Sequence, residues 1–229
     1  MTQQWPDIAA TYDAVAEDYA TAFAGELAGK PFDRKLLDEF AASVRGRGGV
    51  LDVGCGSAGH VTRYLADQGV DAAGVDLSPK VIEVARRYQP GLKFEVADMR
   101  ELPAADGSLA GIIAFYSVIH LPAGQVPAAL AEFRRVLAPG GMLLIAMHGG
   151  AGVTGSDNWF GRNVQVRASL WSLAELVAAT EATDFTIVRQ CARQPYPGEH
   201  ATERLYIWAE ATRGPGESLY KEKSDFVYR

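Results

Sequence analysis

The sequence predicts a doubly wound α/β fold, in which helices cover both faces of a mostly parallel sheet. Short apolar runs bounded by turn residues alternate along the chain with segments of helical periodicity. This alternation is typical of parallel strands that are joined by right-handed crossover helices. The predicted strands are 50–53, 72–75, 93–97, 110–115, 142–147, 186–190 and 204–209, and helices are predicted at 59–68, 79–88 and 126–137.

The chain has 229 residues, a length that suits one domain with a substantial core. We predict that residues 1–212 form this single domain. A mostly helical preface at 8–45 precedes the first strand, and a loop or insertion at 148–168 follows the fifth. The remaining residues, 213–229, are expected to form a polar tail.

The composition argues against several classes of protein. Hydrophobic residues make up 48% of the chain and charged residues 22%, which is ordinary for a globular protein. The net charge of −6 leaves no basic excess for binding phosphates, so a nucleic-acid partner is disfavoured. The apolar runs are far shorter than the roughly 20 residues that span a bilayer, and no secretory leader is visible. We therefore predict a cytoplasmic protein without a membrane partner, in which Cys55 and Cys191 are free thiols.

A glycine-rich turn follows the first predicted strand. Glycines stand at 54, 56 and 59, and a predicted helix begins directly after them. Glycine permits positive φ and close approach of a ligand, and the amides at a helix start attract an anion. Such a turn alone is weak evidence of binding, because tight strand-to-helix connections use glycine for their own geometry.

Acidic residues end the next two strands. Asp76 lies 20 residues beyond Gly56, where a carboxylate would accept hydrogen bonds from both hydroxyls of a ribose. The alternative is that Asp76 caps the following helix, although Ser78 ahead of Pro79 fits that capping role better. Asp98 ends the third strand at the same edge of the sheet. Together these positions predict a nucleoside site.

Five stretches in this order resemble the class I methyltransferases that use S-adenosylmethionine, and the resemblance extends over about residues 8–210. It implies a seven-stranded sheet whose last strand is antiparallel, with a helical lid at the N-terminus. The stretches are LDVGCG at 51–56, GVDLSP at 74–79, ADM at 97–99, FYSVIH at 115–120 and VLAPGG at 136–141.

The resemblance also implies the cofactor S-adenosylmethionine and a role for individual residues. Each part of the cofactor is assigned to one segment of the chain. The methionyl part is assigned to Asp52, Gly54, Cys55 and Gly56; the ribose to Asp76 and Leu77; the adenine to Asp98 and Met99; the sulfonium side to Tyr116 and Ser117; and the lid to the helix that carries Tyr12 and Tyr19.

The implied reaction is methyl transfer to a small-molecule acceptor through an oxygen, nitrogen or carbon atom. The cofactor carries its own leaving group, and no cluster of metal-ligand spacing is visible, so we predict in-line displacement without a metal. His120 follows the fourth strand and is the favoured candidate for a general base. His148, His60 and His200 are weaker candidates, and each of these histidines could instead be an ordinary polar residue.

Aromatic residues collect in the C-terminal third, where this family builds its acceptor pockets. The insertion at 148–168 contributes Trp159 and Phe160 to this group, which also includes Tyr196. For Trp171, Tyr206 and Trp208, packing in the core is the favoured interpretation.

Two other functions remain open on the sequence. A non-catalytic module that binds S-adenosylmethionine would carry the same motifs, because fold and cofactor do not establish catalysis. An NAD-dependent oxidoreductase also has a glycine turn followed by a strand-end acid. It is disfavoured because a helical preface precedes the turn and because Asp98 and Met99 have no standard role in such enzymes.

Overall fold

The computed structural model describes residues 5–212, so the predicted tail at 213–229 lies outside the described residues. Helices flank a seven-stranded sheet, and a separate two-stranded hairpin lies beside it. The strands are β1 Gly49–Val53, β2 Ala72–Asp76, β3 Lys93–Val96, β4 Leu109–Phe115, β5 Leu137–Gly149, β6 Gly152–Ser156, β7 Val166–Leu170, β8 Phe185–Arg193 and β9 Glu203–Ala211. The helices are α1 Ile8–Phe23, α2 Pro31–Val44, α3 His60–Asp67, α4 Pro79–Tyr88, α5 Val126–Val136 and α6 Leu173–Glu181.

The main sheet confirms the predicted fold class. Its strands lie in the order β3-β2-β1-β4-β5-β9-β8, and the first five pair in parallel. The last strand, β9, is antiparallel to both of its neighbours, as the resemblance implies. The order reverses between β1 and β4, and ligands of open α/β sheets bind in the crevice outside the carboxyl ends of strands at such a reversal.

Local sequence explains where the helices begin. Ser78 accepts a hydrogen bond from the backbone of Val81 at 3.0 Å, and Pro79 fills the first position of α4. Helix α6 was missed at the sequence level, although Ser172 and Glu175 form a reciprocal capping box at its start. The signature S-x-x-E was visible in the sequence and would have located this helix.

The segment predicted as a loop or insertion after the fifth strand folds differently. Strand β5 continues to Gly149, and β6 then pairs with β7 in an antiparallel hairpin, from Gly152 opposite Leu170 to Ser156 opposite Val166. The insertion is therefore a hairpin, and irregular backbone is confined mainly to residues 157–165. Glycine and small polar residues weaken the alternation of apolar side chains in β6, which is why the strand was missed.

The core lies on both sides of the main sheet. Trp171, Tyr206 and Trp208 are buried within it, as predicted. Cys55 and Cys191 are free thiols, and both are buried. Within the described part of the chain, no helix combines the length and apolar character needed to cross a membrane.

Candidate functional site

The glycine turn lies between the end of β4 and the lid helix α1. Gly54 has a φ of +73°, and a Cβ atom at this position would lie 2.2 Å from the Cβ of Ser117. Gly56 has a φ of +64°, and its Cβ would lie 3.2 Å from the ring of Tyr19. Both positions therefore require glycine for backbone conformation and for space.

Two contacts hold the lid helix over this turn. The Ser57 hydroxyl donates to the carbonyl of Ala16 at 2.6 Å. The Asp13 carboxylate accepts from the Lys80 backbone amide at 3.0 Å and also from the Ser78 hydroxyl, so that α1 is tied to the start of α4.

Asp76 ends β2 beside the turn. Its carboxylate accepts from the backbone amides of Gly56 at 3.2 Å and Ser78 at 3.1 Å, so it stabilises the turn and the start of α4 together. Burial raises its pKa to about 6, although the backbone hydrogen bonds oppose this shift. Asp76 therefore has two structural partners and still lines the adjoining cavity.

Asp98 is engaged by a neighbouring side chain. Arg100 donates from Nε to Oδ1 at 2.9 Å and from Nη2 to Oδ2 at 2.5 Å. The Arg100 hydrogen bonds hold the pKa of this carboxyl below its usual value. Asp98 is thus ionised at neutral pH, and both of its carboxylate oxygens accept hydrogen bonds from the Arg100 guanidinium.

Asp52 and Cys55 lie behind the turn. Asp52 accepts from the Thr62 hydroxyl at 2.6 Å, and burial raises the pKa of its carboxyl to about 6. Burial likewise raises the pKa of the Cys55 thiol, so this sulfur stays protonated at neutral pH.

Two adjoining cavities open at this edge of the sheet. The first has a volume of about 240 Å³ and the second about 600 Å³, and together they are of the size that ligand sites occupy. All thirteen site residues predicted from the sequence line one or both of them. The first alone is lined by Gly56, Asp76, Leu77, Asp98, Met99 and Ser117, the second alone by Asp52 and Cys55, and both by Tyr12, Tyr19, Gly54, Tyr116 and His120.

His120 and Tyr12 form a pair at the wall that the two cavities share. The Nδ1 atom of His120 lies 2.8 Å from the Arg167 carbonyl, which can only accept, so Nδ1 carries the proton. Nε2 is then an acceptor, and the Tyr12 hydroxyl donates to it at 2.8 Å. Burial lowers the pKa of His120 to about 4, so the imidazole is neutral at physiological pH.

Tyr116 follows β4 and has a φ of 54°, which is uncommon for a residue with a side chain. Its hydroxyl lies 2.9 Å from that of Tyr206, which donates to Asp33 at 2.9 Å and accepts from Arg193 Nε at 3.0 Å. Because the proton of Tyr206 is committed to Asp33, Tyr116 donates to Tyr206. This buried network fixes the Tyr116 ring between the two cavities.

The second cavity also has charged side chains in its wall, and Glu26, Lys30 and Arg204 among them were not identified from the sequence. Lys30 lies 2.6 Å from Glu26 and 3.4 Å from Glu199, and Arg204 lies 3.7 Å from Glu199. All four histidines of the chain line this cavity. Among residues 5–212, no three His, Cys, Asp or Glu side chains are grouped as ligands of a metal would be. No local motif marks Lys30 and Arg204, because they come from segments far apart in the chain.

Aromatic side chains from the lid helix and the hairpin loop line one side of the second cavity. Trp159, in the hairpin loop, packs edge-on against Tyr12 at a centroid distance of 5.1 Å and against Tyr19 at 6.0 Å. The lid helix and the hairpin therefore meet through rings. Phe160 contacts Tyr19 and Phe23 but lies outside the cavity lining.

The fold and this edge define an α/β protein with a crevice at the reversal of strand order, beside a larger cavity. Comparisons with known proteins show what this chain is similar to. Residues 50–141 match the model of the methyltransferase domain. A malonyl-[acyl-carrier protein] O-methyltransferase of Serratia marcescens is 34% identical over 97 residues, which are 42% of this chain and 37% of that protein. A demethylmenaquinone methyltransferase of Beutenbergia cavernae is 32% identical over 144 residues, which are 61% of this chain and 57% of that protein.

The chain thus matches less than two thirds of the length of these relatives. An S-adenosylmethionine-dependent methyltransferase of Methanosarcina mazei has a solved structure that matches with a TM-score of 0.63 at 20% identity. The match covers 72% of this chain and 92% of the Methanosarcina mazei chain. That likeness supports the fold. Residues 50–141 of this chain are therefore similar to a methyltransferase domain, and the fold is like that of a structure described as dependent on S-adenosylmethionine.

The residues fit this cofactor. The positions of Gly54 and Gly56 leave space that a Cβ would fill, which suits close approach of the methionyl part to the backbone. Carboxylates at the ends of two neighbouring strands suit a ribose and an adenine, and the first cavity is lined by both of them.

Proposed function

We propose that this chain is an enzyme that transfers the methyl group of S-adenosylmethionine to a small molecule held in the second cavity. The supporting observation is the Tyr12–His120 pair, which lies at the wall shared by the two cavities and has an acceptor nitrogen available for a proton. A module that only bound the cofactor would have no need of such a pair. Residues 1–212 form one catalytic domain in this proposal.

The proposed cofactor contacts follow the order of the strand ends. Asp52, Gly54, Cys55 and Gly56 face the methionyl part. Asp76 and Leu77 hold the ribose, and Asp98 and Met99 hold the adenine. Tyr116 and Ser117 line the sulfonium side, and the helix with Tyr12 and Tyr19 closes over the whole.

The bound cofactor supplies an electrophilic methyl group and a neutral thioether leaving group. The protein has to align the acceptor with that methyl group, and such alignment contributes up to about 7–11 kcal/mol of the barrier. Tyr116 is suited to this positioning role because its backbone and its hydroxyl are both fixed. No metal is needed for this displacement.

Proton removal is the task of Tyr12 and His120. The acceptor group donates its proton to the Tyr12 oxygen as the Tyr12 proton moves to Nε2 of His120. The resulting imidazolium keeps its Nδ1 hydrogen bond to the Arg167 carbonyl. The pair is complete only while α1 lies over the site, since Tyr12 is part of that helix.

We further propose that the enzyme works in the cytoplasm and does not act on nucleic acid. Its net charge of −6 and the volume of the second cavity, about 600 Å³, favour a small acceptor.

Two measurements test the proposal. Titration calorimetry is expected to detect S-adenosylhomocysteine binding and no NADH binding, and the reverse result would favour an oxidoreductase. A metabolite screen that follows release of S-adenosylhomocysteine is expected to find a turned-over acceptor. Cofactor binding without turnover of any acceptor in a broad screen would instead favour a non-catalytic module.

A further inference from the structure

The walls of the second cavity restrict the kind of acceptor that fits it. We infer that the acceptor is a neutral, flat aromatic compound that receives the methyl group on a ring hydroxyl. This inference rests on the proposed function and adds a substrate class to it. Charge, ring contacts and the proton path each contribute one part.

The first argument is that the acceptor carries no net charge. Each cation that lines the cavity has an acidic partner: Lys30 pairs with Glu26 and Glu199, Arg204 lies 3.7 Å from Glu199, and Arg167 pairs with Asp157. Among the described lining residues, no Lys or Arg is left without such a partner. A charged acceptor would have to compete with these pairs for its counter-ion, whereas a neutral one leaves them intact.

The second part is shape. Rings enter the cavity from three separate elements: Tyr12 from the lid helix, Trp159 from the hairpin loop, and Tyr116 from the end of β4. The imidazole of His148 lies against Tyr116 at a centroid distance of 5.3 Å and an angle of 34°. A flat conjugated ligand meets such walls by stacking and edge contacts, which add to simple burial of area.

The third argument is that the acceptor receives the methyl group on a ring hydroxyl. The neutral His120 takes a proton through Tyr12, so the acceptor must donate one. Burial lowers the pKa of His120 to about 4, which makes it a weak base. A phenol, with a pKa of about 10, suits this base far better than an aliphatic hydroxyl, whose pKa lies well above that of a phenol.

The reaction balances with these groups alone. The phenolic O–H bond breaks, its proton enters the Tyr12–His120 pair, and the oxygen forms a bond to the methyl carbon as the carbon–sulfur bond breaks. The electron pair of that bond leaves with the sulfur as the neutral thioether. The products are an aryl methyl ether, S-adenosylhomocysteine and one proton held on His120.

A matched panel of compounds tests the inference. Catechol and 2-naphthol are flat and neutral; cyclohexane-1,2-diol and decahydro-2-naphthol have the same skeletons but are saturated; 2-naphthoate is flat and anionic. Binding is measured by titration calorimetry in the presence of S-adenosylhomocysteine, and turnover by release of S-adenosylhomocysteine from S-adenosylmethionine.

We expect at least one phenol to bind at least about tenfold more tightly than its saturated partner and than 2-naphthoate, as about 1.4 kcal/mol of ring contact would give, and to be methylated on oxygen. The inference is wrong if neither phenol exceeds its saturated partner, or if the carboxylate binds as well. S-adenosylhomocysteine binding is measured separately, so its absence would identify a failure of the proposed function itself.

Two neighbouring substitutions locate the binding surface. Trp159→Leu removes a ring that lines the cavity, whereas Phe160→Leu removes the adjacent ring, which does not. We expect Trp159→Leu to weaken phenol binding at least about tenfold while S-adenosylhomocysteine affinity changes less than about twofold, and Phe160→Leu to leave both nearly unchanged. Equal loss in the two variants would mean that the hairpin acts only through its fold, and would contradict the assigned surface.

Discussion

The two cavities are built from different kinds of sequence. The first is lined mainly by residues that follow the strands β1, β2, β3 and β4, with the lid helix on one side, so most of its wall is assembled from short contiguous stretches. The second combines the lid helix, the hairpin loop and the segment between β8 and β9. The family match at 50–141 contains the first type of wall and leaves out most of the second. Under the proposed function, cofactor and acceptor recognition would rest mainly on different parts of the chain, and this can be tested by changing each part alone.

The proton pair should give the largest effect on turnover. We expect His120→Gln and Tyr12→Phe each to lower kcat by about 100- to 10,000-fold, because general-base assistance has that range. The measurement is release of S-adenosylhomocysteine with the acceptor found by screening. S-adenosylhomocysteine affinity should stay within about twofold for His120→Gln, and unchanged kcat in both variants would remove the pair from the mechanism.

The glycine turn should give the largest effect on cofactor binding. Gly54→Ala adds a Cβ against Ser117 and imposes a left-handed conformation on alanine. We expect roughly a 100-fold loss of S-adenosylhomocysteine affinity, about 2.7 kcal/mol, by calorimetry. The matched control is Gly46→Ala, where φ is +74° and no atom lies within 4 Å of the added Cβ. If both variants lost affinity equally, strain and not proximity to the ligand would be the cause.

Asp76 should matter more for cofactor binding than Asp98. We expect Asp76→Asn to weaken S-adenosylhomocysteine roughly 10- to 30-fold, as loss of hydrogen bonds to a charged group predicts. Asp98→Asn should cost less, because Arg100 already shares both of its oxygens. Calorimetry on the two variants, with thermal unfolding as the folding control, decides the order. A larger loss of S-adenosylhomocysteine affinity in Asp98→Asn than in Asp76→Asn would contradict the proposed order of the two residues.

The smallest effect concerns pH. A lowered pKa means that His120 is neutral above about pH 4 and loses its base form only as the pH falls through that value. Between about pH 8 and 5.5, kcat should change less than about twofold, whereas a histidine of pKa 6.5 would lose about tenfold. The profile is measured at saturating cofactor, so that protonation of Asp76, with a pKa of about 6, does not limit the rate. A decline centred near pH 6.5 would contradict the buried, neutral imidazole.

The parts that could be predicted share a physical origin. Parallel strands place their carboxyl ends at one edge, so Gly54, Asp76 and Asp98 follow from counting strands and glycines. These three residues could be recognised without knowing which distant residues they contact. The central parallel strands β1, β4 and β5 were found for a similar reason, since buried parallel strands are continuous apolar runs.

The parts that could not be predicted depend on long-range contact. Asp33 and Arg193 lie 2.8 Å apart although 160 residues separate them in sequence. Taken singly, both would be expected at the surface, because isolated charges are rarely buried. His120 was proposed from its position alone, and only the structure brings Tyr12 within 2.8 Å of its Nε2 atom. The hairpin strands were hidden by glycine, which carries no side chain to reveal a pattern.

The proton position on His120 is set by a carbonyl of the main chain at position 167. Every amino acid offers the same carbonyl there, so the catalytic tautomer does not depend on which side chain this position carries. Its neighbours in the hairpin strand can therefore diverge to suit new acceptors without altering how the imidazole is protonated. Under the proposed function, position 167 is consequently a sensible place to begin when redirecting methyl transfer toward other compounds.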